Sequence, residues 1–261
     1  MTPLAVGIVL PVHDEAELLP AALGALDRAR QALGPRNLPC YTVIVLDACT
    51  DRSASIARQW GDRLGPDAAG VVAIEARNVG LARRRGVDVV LGHFRAVPAN
   101  RLWLATTDAD SEVPPTWLSD QLAHYEHGAD LWTGRVEVVD WTGRTTAVAQ
   151  RWRRDYAAEV RPVHGASLGV RASAYLAVGG FAPLRTGEDQ ALHDAVLATG
   201  TLVGHGGGVP VNTSARRTAR APLGFAHALS TVDRADDDAL AVGMAADAPV
   251  TSPVIRTPQP H

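Results

Sequence analysis

Arg101–Glu112 reads RLWLATTDADSE, an apolar run, Leu102 to Ala105, leading directly into two carboxylates one residue apart, Asp108 and Asp110. A short run of this kind suits a strand covered on both faces of a parallel sheet. The carboxylates then emerge at the strand's carboxyl end, the edge at which open α/β sheets bind ligands. Hard cations such as Mg2+ or Mn2+ want oxygen ligands, and a phosphate-bearing substrate can complete the shell. An Asp-x-Asp pair also serves as a solvated turn or a helix cap, so its meaning depends on its neighbours.

Upstream, the same pattern recurs. Leu4 to Leu10 (LAVGIVL) reads as a buried strand ended by Pro11. A helix follows, with Asp14 as its cap, Pro20 in its first turn, and Leu18, Leu19, Ala22, Leu23 and Leu26 at helical spacing. Tyr41 to Leu46 forms a second strand, followed by a loop and a helix starting near Asp51 or Ser53. Val71 to Glu75 forms a third, with Gly80 at the junction to a helix bearing Arg83, Arg84 and Arg85. Strand, loop and helix in repeated order imply an α/β, Rossmann-like, largely parallel sheet with helices on both faces.

Each of these strands ends in polar residues: His13, Asp14 and Glu15, then Asp47, then Asn78 and the arginines, then the acidic pair. Singly these are caps, turn formers and a solvated helix face. In a doubly wound sheet they converge on one edge. Arg83 or Arg84 can meet an anionic diphosphate there, with a metal on Asp110 neutralising the remaining charge. No Gly-x-Gly-x-x-Gly follows the first strand and there is no Walker lysine. Indeed all 25 basic residues are arginine, and the net charge of -3 leaves no footprint for nucleic acid. Cys40 and Cys49 show neither metal nor disulfide spacing, which suits a reducing, cytoplasmic setting. MTPLAVGIVLP reads as a strand and not a signal peptide, and no apolar stretch is long enough to span a membrane.

PVHDEA, VLDACTDRS, ARNVGLARRRG, TTDADSEVPPTWL, HGASLGVRASAYLAVGGF and GEDQAL, in this order, resemble family-2 glycosyltransferases of the GT-A fold. The resemblance spans roughly residues 4 to 230 and departs from the common pattern at Ala48 and Cys49, where Gly-Ser is usual. It implies that Pro11, His13, Glu15 and Asp47 line the nucleoside pocket, Asp47 near the base. It puts Arg83 close to the diphosphate, Asp108 on the ribose or sugar side, and Asp110 on the metal, with Asp108 as its companion carboxylate. Asp189 falls in the position of the base, with Glu188 supporting it or touching acceptor. Arg216 and Arg217 fall in a segment that closes over the donor diphosphate.

The second half has less pattern of its own. Leu131 to Val139 reads as one strand, with Trp132, Trp141 and Trp152 near it; indole faces stack on sugars but more often pack in cores. TTAVAQRWRRDYAAEV suits an amphipathic helix, and Gly179–Gly180 ends another. His164 and Trp132 are candidate acceptor contacts, and His205 a candidate third metal ligand. Glu188 and Asp189 also suit a helix start. The expected organisation is one domain over residues 1–231, with 1–112 holding the nucleotide sugar and 113–231 the acceptor, then a loose tail over 232–261. The expected activity is Mg2+- or Mn2+-dependent transfer, with inversion, from a UDP- or GDP-linked sugar to an acceptor hydroxyl that the sequence does not name. Alternatives are a sugar-phosphate nucleotidyltransferase and a non-catalytic sugar-nucleotide or glycan-binding module.

Overall fold

The computed structural model describes residues 5–142, 146–158, 163–206 and 208–214. Through the first half, strand and helix alternate: β1 (Ala5–Val12), α1 (Leu19–Ala32), β2 (Cys40–Asp47), α2 (Ser53–Leu64), β3 (Ala69–Ile74), α3 (Val79–His93) and β4 (Leu102–Thr106). The pieces then shorten. They are β5 (Ser111–Glu112), α4 (Trp117–Glu126), β6 (Leu131–Thr133), β7 (Val136–Val138), α5 (Thr146–Ala158), β8 (Leu168–Arg171), α6 (Ala172–Ala177), α7 (Glu188–Leu197), β9 (Val203–His205) and β10 (Val211–Thr213).

Seven strands form the main sheet in the order β3-β2-β1-β4-β8-β6-β9. Only β8 runs against its neighbours, β4 and β6. Side chains of β1 alternate across the pleat, Val6, Ile8, Leu10 and Val12 entering one core and Ala5 and Val9 the other. The first core takes α1, α2 and α4; the second takes α3, α6 and α7. The chain leaves β1 for β2 and β3 on one side and returns to place β4 on the other. The switch point therefore lies between β1 and β4, where the Asp-x-Asp turn begins.

Pro11 does not end β1 but sits inside it, opposite Val45 of β2. Val6 directs its N–H to Pro39 on the β2 side and Val9 accepts from Thr107 on the β4 side. Alternate residues share a direction, so Pro11 lacks its N–H on the β4 side, beyond the last pair, Val9 with Thr106. The ladder loses nothing. The single strand expected over Leu131–Val139 is instead two, β6 in the main sheet and β7 in a second sheet of order β5-β10-β7. The break is at Gly134, whose N–H turns to Ser167 O at 2.8 Å. A Cβ on Gly134 would lie 2.3 Å from both Ser167 Oγ and the Trp132 ring.

α3 approaches β1 closely because two glycines make room. A Cβ on Gly7 would lie 2.1 Å from Val90 Cγ1, and one on Gly86 would lie 2.4 Å from Val9 Cγ1. Both valines are stiff at χ1. Gly86→Ala is therefore expected to lose about 1–3 kcal/mol through overpacking, despite alanine's better helix propensity, as measured by urea unfolding.

Candidate active site

The loops that follow β1, β2 and β3 are laced together by side chains at the carboxyl edge. Asp14 is not the cap of α1, whose N-cap is Leu18 with no side-chain bond. Its carboxylate instead accepts the N–H groups of Thr50 and Asp51, at 2.6 and 3.2 Å, across the gap between the first two loops. The Thr50 amide is the main reason its pKa lies below the usual carboxylate value. Ser53 Oγ accepts the Glu15 N–H at 2.8 Å, and Asp51 accepts those of Ala16 and Ser53 at 2.9 and 2.8 Å. Each of the three loops carries a non-glycine residue at positive φ: Asp14 at 51°, Ala48 at 51° and Arg77 at 47°.

Asp47 shapes the third loop. Its Oδ1 accepts from Ala76 and Arg77 at 2.7 and 2.8 Å, and its Oδ2 from Asn78 at 2.7 Å. Its backbone carbonyl accepts a 2.6 Å hydrogen bond from His13 Nδ1, which fixes that nitrogen as the protonated one. Asn78 then caps α3, its side chain accepting from Leu81 N–H at 3.0 Å. Asp47 thus turns the chain from β3 into α3.

Arg83 departs from the solvated helix face and from the diphosphate contact considered for it. It is 2 % exposed, while Arg84 and Arg85 beside it are open to solvent. Its Nε donates to Thr106 Oγ1 at 3.1 Å, its Nη1 to Glu188 and its Nη2 to Asp108. The guanidinium is enclosed: a Cβ on Gly165 would lie 2.2 Å from Nη2. Thr106 and Gly165 carried no signal in the sequence, because their importance comes only from what folds against them.

Asp108 and Asp110 lie on the tight turn between β4 and β5, closed by Ser111 N–H to Asp108 O at 3.2 Å. Ser111 is buried, and its hydroxyl reaches Asp110 at 3.2 Å and Thr213 of β10 at 3.0 Å. Among the described residues no three His, Cys, Asp or Glu side chains gather as a ready-made metal site. Two carboxylates on one turn still suit Mg2+ or Mn2+, which bind through one or two carboxylates together with substrate phosphates. His205, on β9, pairs with Thr133 of β6, and β9 lies three strands from β4, on the order of 14 Å at ordinary strand spacing. Among the described residues it does not gather with the two carboxylates into a three-ligand group.

Asp189 stands in the first turn of α7, after Gly187 at φ 80°. Its Oδ2 accepts the Gly165 N–H at 2.7 Å and its Oδ1 the Gln190 N–H at 2.8 Å. It is half-buried, whereas Glu188 is 3 % exposed. The loop before α7 is fastened to the start of α3: Gly80 N–H reaches Leu184 O at 3.0 Å and Asn78 Nδ2 reaches Pro183 O at 3.0 Å. A Cβ on Gly80 would stand 2.1 Å from Ala182 O, so this junction needs glycine.

His164 precedes Gly165, and burial lowers its pKa against the opposing charge of Asp189. Its Nε2 is buried with no hydrogen-bond partner. Trp132 does not offer a face to an acceptor: it is 3 % exposed and packed in the core with Trp117 and Val136. Trp141 and Trp152 lie against each other at 5.7 Å, and Trp152 stacks on Tyr156 at 4.7 Å. Burial pushes the Cys40 thiol up to about 11 and raises that of Cys49, so neither is a ready nucleophile. Arg216, Arg217 and the tail over 232–261 lie outside the described residues.

Two outcomes follow. Asp47→Asn places an amide N–H against backbone N–H groups; it should cost about 1–3 kcal/mol in urea unfolding and speed hydrogen exchange at Ala76, Arg77 and Asn78. For His164, a lowered folded pKa means that its neutral form suits the fold. Its stabilisation is complete above the unfolded value near about 6.5 and is lost as pH falls toward the folded value. Unfolding measured between about pH 7.5 and 5 should therefore show an acid-side loss that is smaller in His164→Gln.

The chain matches the model of glycosyl transferase family 2 over residues 7–178. It is 29% identical to an uncharacterised glycosyltransferase of Mycobacterium tuberculosis (strain ATCC 25618 / H37Rv) over 196 residues, 73% of this chain and 70% of the relative. Its fold resembles a mannosyltransferase from Pyrobaculum calidifontis in complex with GDP-Man and Mn2+, with TM-score 0.61 and 17% identity over 93% of this chain. It spans 65% of that chain. A glucosyl-3-phosphoglycerate synthase from Mycobacterium tuberculosis, in complex with Mn2+, UDP and glucosyl-3-phosphoglycerate, gives TM-score 0.54 and 16% identity, covering 87% of this chain and 76% of that one. The mostly parallel seven-stranded sheet with helices around it is that of the GT-A fold. The matched segment runs from β1 through the Asp-x-Asp turn to α6, and with it this chain belongs to glycosyl transferase family 2.

Proposed function

We propose that this family-2 member transfers a sugar, with inversion, from a UDP- or GDP-linked donor to an acceptor hydroxyl, with Mg2+ or Mn2+ at the Asp108–Asp110 turn. The observation that carries this reading is the convergence, through Arg83, of that turn with the start of α7, where Asp189 stands half-buried. The solved structures with GDP-Man or UDP and Mn2+ support the donor class and the metal. The family match favours sugar transfer over nucleotidyl transfer and over a binding module. Residues 1–231 would act as one domain, and the unpaired thiols of Cys40 and Cys49 favour a cytoplasmic setting.

In this mechanism the loops after β1 to β3 seat the nucleoside, lined by Pro11, His13 and Glu15 on the framework that Asp47 holds. Asp110 and Asp108 would hold the cation, which supplies charge neutralisation to the leaving diphosphate. Asp189 takes the proton of the acceptor hydroxyl as its oxygen attacks the anomeric carbon from the face opposite the nucleotide. The amides of Gly165 and Gln190 aim its carboxylate. His164, kept neutral by burial, stands on the acceptor side.

Asp189→Asn should keep the thermal shift produced by donor and Mn2+ while transfer falls by about 10²–10⁴, the usual worth of a positioned base. Near-normal transfer would move the base elsewhere. Asp110→Ala should lose Mn2+-dependent donor binding in the same thermal-shift assay; a retained Mn2+ response would remove Asp110 from the metal.

A further inference from the structure

We infer that Arg83 is a positioning residue, a rigid spacer that sets the relation between the donor-holding turn and the base-bearing helix; this rests on the reading of Asp189 as the base. One planar group bonds to three elements at once: Thr106 at the end of β4, Asp108 on the turn, and Glu188 at the start of α7. Glu188 adjoins Asp189. A second route runs through Gly165, which lies against the guanidinium and donates its N–H to Asp189 at 2.7 Å. Arg83 is a member of both of these connections from Asp108 to Asp189. At 2 % exposure it is withdrawn from the phosphates, so its effect on turnover runs through the residues it holds.

The shape of the group matters as much as its charge. Glu188 and Asp108 are bonded to different terminal nitrogens of one fork, whose geometry is fixed by conjugation. A lysine carries the same charge on a flexible stem and cannot reproduce that spacing. Misplacement of reacting groups by about 1 Å can cost on the order of 100-fold in rate. An ion pair that only stabilised the fold would show a loss of folded protein with unchanged turnover per folded molecule.

The test compares Arg83→Lys, Arg83→Met and Arg83→Met/Glu188→Leu with the wild type and with Asp189→Asn. Nucleoside diphosphate release from GDP-mannose and UDP-glucose with Mn2+ gives kcat and KM, and urea unfolding gives the folded fraction. Arg83→Lys should keep the donor KM within about threefold while kcat per folded molecule falls at least about tenfold. The double variant should recover the stability lost in Arg83→Met, because it removes the carboxylate left unpaired, without recovering kcat. Wild-type kcat in folded Arg83→Lys, or recovery of kcat together with stability in the double variant, would overturn the inference. Wild-type turnover in Asp189→Asn would instead overturn the underlying reading of the base.

Discussion

A guanidinium buried between two carboxylates is the constraint on which this site depends. Taking the Arg83 guanidinium and the Glu188 carboxylate out of water is expensive, and the cost is offset only when geometry lets each charge answer the other; Asp108 keeps 36 % of its side chain exposed. Arg83, Asp108 and Glu188 meet that condition because β4, α3 and α7 are each packed in place: β4 by β1 and β8, α3 by the glycine contacts on β1, and α7 by the loop fastened to Gly80 of α3. The backbone thus delivers three side chains to one point from far-separated parts of the chain.

Two kinds of polar residue share the carboxyl edge. Asp14, Asp47, Asp51 and Ser53 satisfy backbone amides and so define the surface a nucleoside would meet. Asp110 and Asp189 are both half-buried, Asp189 also accepting the amides of Gly165 and Gln190. This division explains why one short edge contains so many acidic residues without collapsing into mutual repulsion. Several of them answer N–H groups, and Asp108 and Glu188 answer a cation.

Much of the framework was legible in the sequence because it rests on local rules. Apolar runs became β1, β2, β3 and β4 within a few residues, and Gly179–Gly180 closed α6 at positive φ. What stayed hidden depended on distant partners. Leu131–Val139 is apolar enough for one strand, but the turn at Gly134 is set by Ser167. Trp132 looks the same on paper whether it faces solvent or core, and its burial follows from the core it joins with Trp117 and Val136. Asp14 satisfies every rule for a cap, yet α1 begins too late to use it. Arg83 sits in a run of three arginines that composition cannot tell apart; only the rotation of α3 against the sheet selects it.

The three positive-φ residues that follow β1, β2 and β3 carry a cost of order 1–3 kcal/mol each when no glycine or local bond relieves them. Asp14 is the most tolerant of the three, and Ala48 and Arg77 have less to offset the conformation. Three such residues lie along one edge of the sheet, above well-packed strands. On the proposed function, changes that relaxed these loops for stability would also alter the surface offered to the donor, so the two demands would fall on the same few residues.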